Sequence, residues 1–241
     1  MDVRLIGISK HFGSVAAVDH LTLEVRSGEF LALVGASGSG KTTLLRIVAG
    51  LERQDSGHIY IGDTLVNEVP VGKRNVQMIF QNYALWPHMK VFDEKQHTNV
   101  SFPLKMRHWT AEAIGPWARE IARRARLDEV LFDRRPDELS SGQRQRVAIA
   151  RALTTSPTVF LMDEPLANLD PPTRVKVRGE LKRVHQEAGA TTIFVTHVMA
   201  DAFALGDRIA FLRDGRLVQV GTGDEIRNTP ADDYVRDFLV S

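Results

Sequence analysis

A five-residue apolar run, Phe30 to Val34, leads without a break into Gly35-Ala-Ser-Gly38-Ser-Gly40-Lys41-Thr42-Thr43. A run with no polar position is the pattern of a strand buried on both faces, the interior of a parallel sheet. Beyond the glycines, Leu44, Leu45 and Val48 mark one face of a helix, and Gly50 is placed to end it. Strand, glycine loop and helix in this order satisfy the G-x-x-x-x-G-K-T pattern together with the context it requires. In such a loop the glycines let backbone N–H groups turn inward on a phosphate, and the helix N-terminus adds the positive end of its dipole. Lys41 would reach the β/γ-phosphates, and the Thr42 hydroxyl would ligate Mg²⁺. Gly35, Ser37, Gly38, Ser39, Gly40, Lys41, Thr42 and Thr43 are therefore the candidate nucleotide-binding residues.

Around this element the chain reads as an α/β core interrupted by a helical insert. Leu21, Leu23 and Val25 alternate with polar residues as a half-exposed strand. Ile59 to Val66, turning at Gly62-Asp63, is expected to be a hairpin, and Val76 to Phe80 another strand. From Val91 to Leu153 the spacing turns helical: Trp117, Ile121 and Ala125 recur every four residues, with Pro116 expected in the first turn. Val147, Ala150 and Leu153 mark a further helix. Strands are expected again over Val159–Met162 and Thr192–Val195. Val177, Leu181 and Val184 mark a helix between Pro171 and Gly189, and Arg208 to Val220 is expected to form a hairpin turning at Asp214-Gly215. The expected layout over residues 1–241 is one domain, with the core in 1–90 and 155–241 and the helical insert in 91–154.

Composition narrows the classes. With 43% hydrophobic and 25% charged residues, the 241-residue chain can bury a continuous core. A net charge of +1 gives no reason to expect a nucleic-acid surface. The absence of cysteine excludes disulfides, thiolate metal sites and thiol catalysis. No apolar run is long enough to span a bilayer, and the start lacks the apolar stretch of a signal peptide.

Asp163 and Glu164 end an apolar run, so they are expected at the carboxyl edge of a sheet strand, where open α/β sheets bind ligands. There Asp163 would hold the Mg²⁺ hydration shell and Glu164 would polarise an attacking water. Between the glycine loop and this pair lies Leu139-Ser140-Ser141-Gly142-Gln143, opening a helix. A Ser hydroxyl and N–H groups at a helix start can bind an anion; a simple Ser cap would give the same local structure.

With these motifs in this order over almost its full length, the chain resembles the nucleotide-binding subunit of an ABC transporter. The resemblance implies a P-loop NTPase core of ABC-ATPase type, an N-terminal antiparallel β subdomain and an inserted α-helical subdomain. It implies that Ser140, Gly142 and Gln143 contact ATP held by a second copy or a related ATPase subunit. It further implies that Phe12 stacks on adenine, that Gln81 senses Mg²⁺ and the γ-phosphate, that Asp170 lies in the loop crossing between subunits, and that His197 hydrogen-bonds the γ-phosphate. Lys41, Gln81, Glu164 and His197 would be catalytic, and Thr42, Gln81 and Asp163 would hold the metal. Ser141 departs from the usual second glycine, and Val198-Met199 from the usual Asp-Gln.

Tyr83-Ala-Leu-Trp86-Pro-His-Met89 resembles importers for sugars, ferric iron or polyamines, while the carboxyl-terminal stretch resembles osmoprotectant importers. This implies an ATP-hydrolysing subunit on the cytoplasmic face of the cell membrane. It would grip permease subunits through the Gln81-Tyr83-Trp86 region, with an external substrate-binding protein acting through the permease. The carboxyl-terminal regulatory domain usual in sugar importers is expected to be absent, and Glu94 to Thr98 reads as a small surface insertion. The alternatives are a soluble ABC ATPase serving cofactor assembly or repair, and an ordinary P-loop kinase in which LSSGQ is incidental.

Overall fold

The computed structural model describes residues 1–94 and 96–240, the last by its backbone alone. In chain order the elements are β1 (Val3–Phe12), β2 (Val15–Val25), β3 (Phe30–Val34), α1 (Lys41–Ala49), β4 (Ser56–Ile61), β5 (Thr64–Leu65), β6 (Val76–Ile79), α2 (Phe102–Met106), α3 (Ala111–Arg124), α4 (Ser141–Leu153), β7 (Val159–Asp163), α5 (Pro171–Ala188), β8 (Thr191–Val195), α6 (Met199–Leu205), β9 (Arg208–Arg213), β10 (Arg216–Gly221), α7 (Gly223–Asn228) and α8 (Asp233–Val240). The mixture of sheets and helices is that of the α/β class. Two compact units result: a core unit of Met1–Met78, Thr158–Glu164 and Gly189–Ser241, and a helical unit of Ile79–Pro157 and Pro165–Ala188.

The core unit carries a six-stranded sheet in the order β10-β9-β3-β8-β7-β6. β3, β7 and β8 run parallel, and every residue in them is buried, including Asp163 at the end of β7 and Thr191 and Thr192 at the start of β8. Leu33 and Asp163 both pair with Val195, so the three carboxyl ends finish level. β9 and β10 close as the expected hairpin, with Asp214 (φ 50°) and Gly215 (φ 77°) supplying two successive left-handed residues. A second, antiparallel sheet runs β2-β1-β4-β5. Its inward side chains, among them Leu5, Ile8, Leu21 and Ile59, share a core with Leu44, Leu45 and Val48 of α1.

In the helical unit α3 begins earlier than the sequence suggests. Thr110 is extended (φ −73°, ψ 153°) and Ala111 is the first helical residue, which puts Pro116 inside the helix rather than in its first turn. Pro116 is exposed, as is Glu112 one turn before it, so the Glu112 carbonyl that loses its helical donor lies on the solvent side; the face turned inward is Ile114, Ala118, Ile121 and Ala122. Trp117 sits at the edge of that face and donates its indole N–H to the Thr154 carbonyl at 2.8 Å. In α4, Val147, Ala150 and Leu153 are buried as expected.

Residues 79–90, 155–157 and 165–188 group with the helices, whereas the sequence-based layout gave them to the core. An ion pair ties α5 to α4, with Arg146 meeting buried Glu180 at 2.9 Å. In the segment 94–98, Lys95 lies outside the described residues. The flanks are anchored: Glu94 pairs with Arg119 at 2.7 Å, and buried Thr98 bonds Ser101 at 2.7 Å. Among the described residues no helix is long and apolar enough to cross a membrane.

Candidate nucleotide-binding site

The level ends of β3, β7 and β8 deliver three loops to one edge of the sheet, and the chemistry of the core unit collects there. The loop after β3 folds tightly. Gly40 has φ 100°, and a Cβ on it would stand 2.1 Å from the Ala17 carbonyl oxygen. A Cβ on Gly35 would stand 2.2 Å from the Leu212 carbonyl oxygen, so these two glycines are required by backbone approaching backbone. Ser37 and Gly38 form the exposed tip, Ser39 is buried, and Thr43 is half-buried in the first turn of α1. No side chain caps that helix at Gly40, which leaves its first N–H groups to an external acceptor.

Lys41 is buried, and its ammonium donates to the Gly35 carbonyl at 2.8 Å, the Ala36 carbonyl at 2.7 Å and Ser39 Oγ at 3.3 Å. Burial pushes its pKa below the ordinary lysine range, and the Glu164 and Asp163 carboxylates work against that shift. Thr42 donates its hydroxyl to Asp163 Oδ1 at 2.9 Å. Burial raises the Asp163 pKa, and the Thr42 bond partly offsets it.

Glu164 follows β7 in the left-handed region, φ 45°, a conformation that disfavours a side chain bearing Cβ. It is held there because its N–H donates to the Val195 carbonyl at 3.1 Å. Its Oε2 lies 3.2 Å from His197 Nδ1 in the loop after β8. The structure therefore joins Lys41, Thr42, Asp163, Glu164 and His197 at one sheet edge. Phe12 lies outside this bonded set, half-exposed at the end of β1, with the Lys10 ammonium 5.1 Å from its ring centre.

The remaining candidates belong to the helical unit. Ser140 caps α4: its Oγ accepts the Gln143 N–H at 3.3 Å while Gln143 Oε1 accepts the Ser140 N–H at 2.8 Å. The hydroxyl proton of Ser140 takes no part in that box. Ser141 occupies the first helical position, and its Oγ accepts from Arg144 at 3.1 Å. A Cβ on Gly142 would press on Thr173 at 3.2 Å. Ser140, Ser141, Gly142, Gln143, Asp170 and Thr173 line one open depression. Asp170 caps α5 through the Thr173 N–H at 3.0 Å, a bond that holds its carboxyl below the usual range.

Gln81 is exposed, and its backbone carbonyl accepts from Asn168 at 3.3 Å. Tyr83 is buried and Trp86 is packed on Phe102 at 4.8 Å, so of the three expected permease-facing side chains only Gln81 is fully open. Two further residues in these sites were missed from the sequence. Arg151 donates to the Tyr83 and Ala84 carbonyls, and Tyr234 bonds the glycine loop. Neither sits in a motif; only the tertiary contact reveals them.

Comparison with known proteins identifies the family. The sequence model of the family described as "ABC transporter" matches residues 18–167. The trehalose/maltose import ATP-binding protein of Thermococcus litoralis is 49% identical, the match covering 99% of this chain and 64% of that protein. The spermidine/putrescine import ATP-binding protein of Oleidesulfovibrio alaskensis is 44% identical over 98% of this chain and 61% of its own length. The chain thus spans less than two thirds of the length of either relative. Among solved structures, an ATP-binding cassette in a dimeric post-hydrolysis state bound to ADP and Pi superposes with a TM-score of 0.80 at 32% identity, covering 91% of this chain and 98% of that one. A nucleotide-free ATP-binding cassette from an ABC transporter superposes with a TM-score of 0.84 at 26% identity, with each chain covered fully (100% and 100%). The glycine loop, the Asp163–Glu164 edge and the capped LSSGQ helix therefore have the family's sequence and its fold around them, and the chain belongs to the ABC transporter family.

Proposed function

We propose that this chain binds and hydrolyses ATP as one of two paired copies and drives solute import through a membrane permease at the cytoplasmic face. The observation that carries the reading is the convergence of Lys41, Thr42, Asp163, Glu164 and His197 on one sheet edge beside an uncapped helix N-terminus. Mg²⁺ fits this site: the Thr42 hydroxyl and an Asp163 carboxylate oxygen lie 2.9 Å apart, two hard oxygen donors beside the phosphate loop. Bound there, the ion would neutralise charge on the β- and γ-phosphates.

The chain's own groups supply the rest. Backbone N–H groups of the loop and Lys41 hold the phosphates. Glu164 orients water for in-line attack, and His197, bonded to it, stands to meet the γ-phosphoryl oxygens. The Ser140 hydroxyl and the N–H groups at the start of α4 would complete the site from the other copy; a bacterial ABC transporter cassette solved as a dimer supports the pairing of copies. Gln81, as the γ-phosphate sensor, Phe12, as the adenine platform, and Asp170, at the crossing loop, keep the roles that family resemblance gives them. Relatives named for import of trehalose/maltose, spermidine/putrescine, and sulfate/thiosulfate support transport inward. Because those solutes share no chemistry, the solute belongs to the permease and an external binding protein. Glu164→Gln should keep ATP affinity within about threefold and lose at least about 100-fold in turnover, since one oriented water is worth that much. Wild-type turnover by that variant would sink the reading.

A further inference from the structure

The carboxyl-terminal helix α8 reaches the phosphate loop through a single hydroxyl. Tyr234 Oη accepts the Ala36 N–H at 3.0 Å and donates to the Leu212 carbonyl at 2.8 Å. The ring is fixed independently of that hydroxyl. It stands edge-on to Phe238 at 5.0 Å, and the Arg213 guanidinium lies 5.1 Å from its centre, itself tied to Asp232 at 2.8 Å. Burial raises the Tyr234 pKa, so the phenol stays protonated and able to donate.

The N–H that Tyr234 accepts and the Gly35 carbonyl that receives Lys41 belong to one peptide group. That peptide is gripped at both ends, by the phenol and by the ammonium. Accepting its N–H polarises the amide and strengthens its carbonyl toward Lys41. It also fixes the plane from which the loop departs, at the place where a Cβ on Gly35 would meet the same Leu212 carbonyl. With Ala36 committed to Tyr234, the N–H groups turned to phosphate begin beyond it.

We infer that Tyr234 is a positioning residue for nucleotide: from α8 it holds the Gly35–Ala36 peptide in the shape that binds phosphate, and so couples that helix to the state of the site. The inference rests on the reading of the loop as an ATP site. By reciprocity, nucleotide bound at the loop must also steady α8.

Calorimetric titration of the purified chain with ATP and Mg²⁺ tests it. Tyr234→Phe keeps the ring and removes the bond, and should weaken ATP binding about three- to tenfold, the worth of one hydrogen bond. Ala36→Pro removes the donor, so in that background Tyr234→Phe should change affinity by less than about twofold. In the wild-type chain, ATP should slow amide exchange across α8, a response that a merely structural tyrosine would not produce. Should Tyr234→Phe fail to fold, this exchange decides alone, and α8 amides indifferent to ATP overturn the inference. A wild-type chain that binds no ATP overturns the reading beneath it as well. Wild-type binding with an equal affinity in Tyr234→Phe overturns the positioning role only.

Discussion

Asp163 is buried at the last position of β7, and burial lifts its carboxyl above the ordinary range even though the Thr42 hydroxyl stabilises the charge. A carboxyl whose folded pKa is raised favours the protonated native state. The native chain therefore carries a penalty that is full above the folded pKa and disappears as pH falls toward the ordinary value of 3.8. Asp163→Asn keeps an acceptor for Thr42 without the charge. The expected result is a ligand-free chain that melts above wild type near pH 7, with the gap closing as pH falls to about 4. The same substitution should weaken the stabilisation that ATP with Mg²⁺ gives, because the metal loses its carboxylate. Melting curves across pH, with and without nucleotide, check both. A gap independent of pH would show that the buried charge is not its source. Glu164 adds a second local conflict, since a left-handed glutamate is retained where glycine would be easier. Both residues are poor choices for stability, and the proposed function gives each its reason.

Among the elements, the turn after β6 carries backbone strain that a neighbouring helix meets. Tyr83 (φ 64°) and Ala84 (φ 44°) are consecutive left-handed residues without glycine. Arg151 of α4 closes on them, donating to the Ala84 carbonyl at 2.7 Å and the Tyr83 carbonyl at 2.9 Å, with its guanidinium 4.9 Å from the Trp86 ring centre. Burial lowers its pKa to about 10, so it remains a cation at neutral pH. Arg151→Gln removes a planar fork and a cation over an aromatic ring, and should destabilise the chain by about 2–4 kcal/mol. Urea unfolding measures this, and Trp86 emission should shift as its packing loosens. A loss below about 0.5 kcal/mol would mean the turn holds itself.

The elements also explain what the sequence made legible. β3, β7 and β8 were readable because a strand buried on both faces carries a short apolar run, Phe30 to Val34, Val159 to Met162 and Ile193 to Val195. β1 carried no such signal: pairing with β2 is interrupted by register shifts between Leu5 and His11, and Ile6 is exposed, so no alternation survives. α3 was shifted because a proline reads as a first-turn residue, while the helix starts earlier, at Ala111. Motif residues were legible at the site for the same local reason. The His197–Glu164 bond, the Arg151 clasp and the Tyr234 bond join positions far apart in sequence, and no local pattern specifies them.

For the whole molecule, the division of groups between the two units sets the decisive question. The core unit carries Lys41, Asp163, Glu164 and His197, while the helical unit carries Ser140 and Gly142. If ATP is held by the loop of one copy and the LSSGQ helix of another, two different defects must complement. Lys41→Met removes the phosphate cation. Ser140→Ala removes the hydroxyl and the α4 cap, the latter at about 1 kcal/mol of stability. Each variant alone should hydrolyse ATP at a small fraction of the wild-type rate. In a mixed dimer, one site combines the Lys41→Met loop with the Ser140→Ala helix and carries both defects. The other joins an intact loop to an intact helix. An equal mixture forms such dimers half the time, each with one sound site, and should recover about a quarter of wild-type activity if the sites fire independently. Phosphate release by the mixture, compared with either variant at the same total concentration, gives the answer. A mixture no faster than the mean of its components would place the whole site in one chain. The Ser140 hydroxyl would then be a helix cap and nothing more.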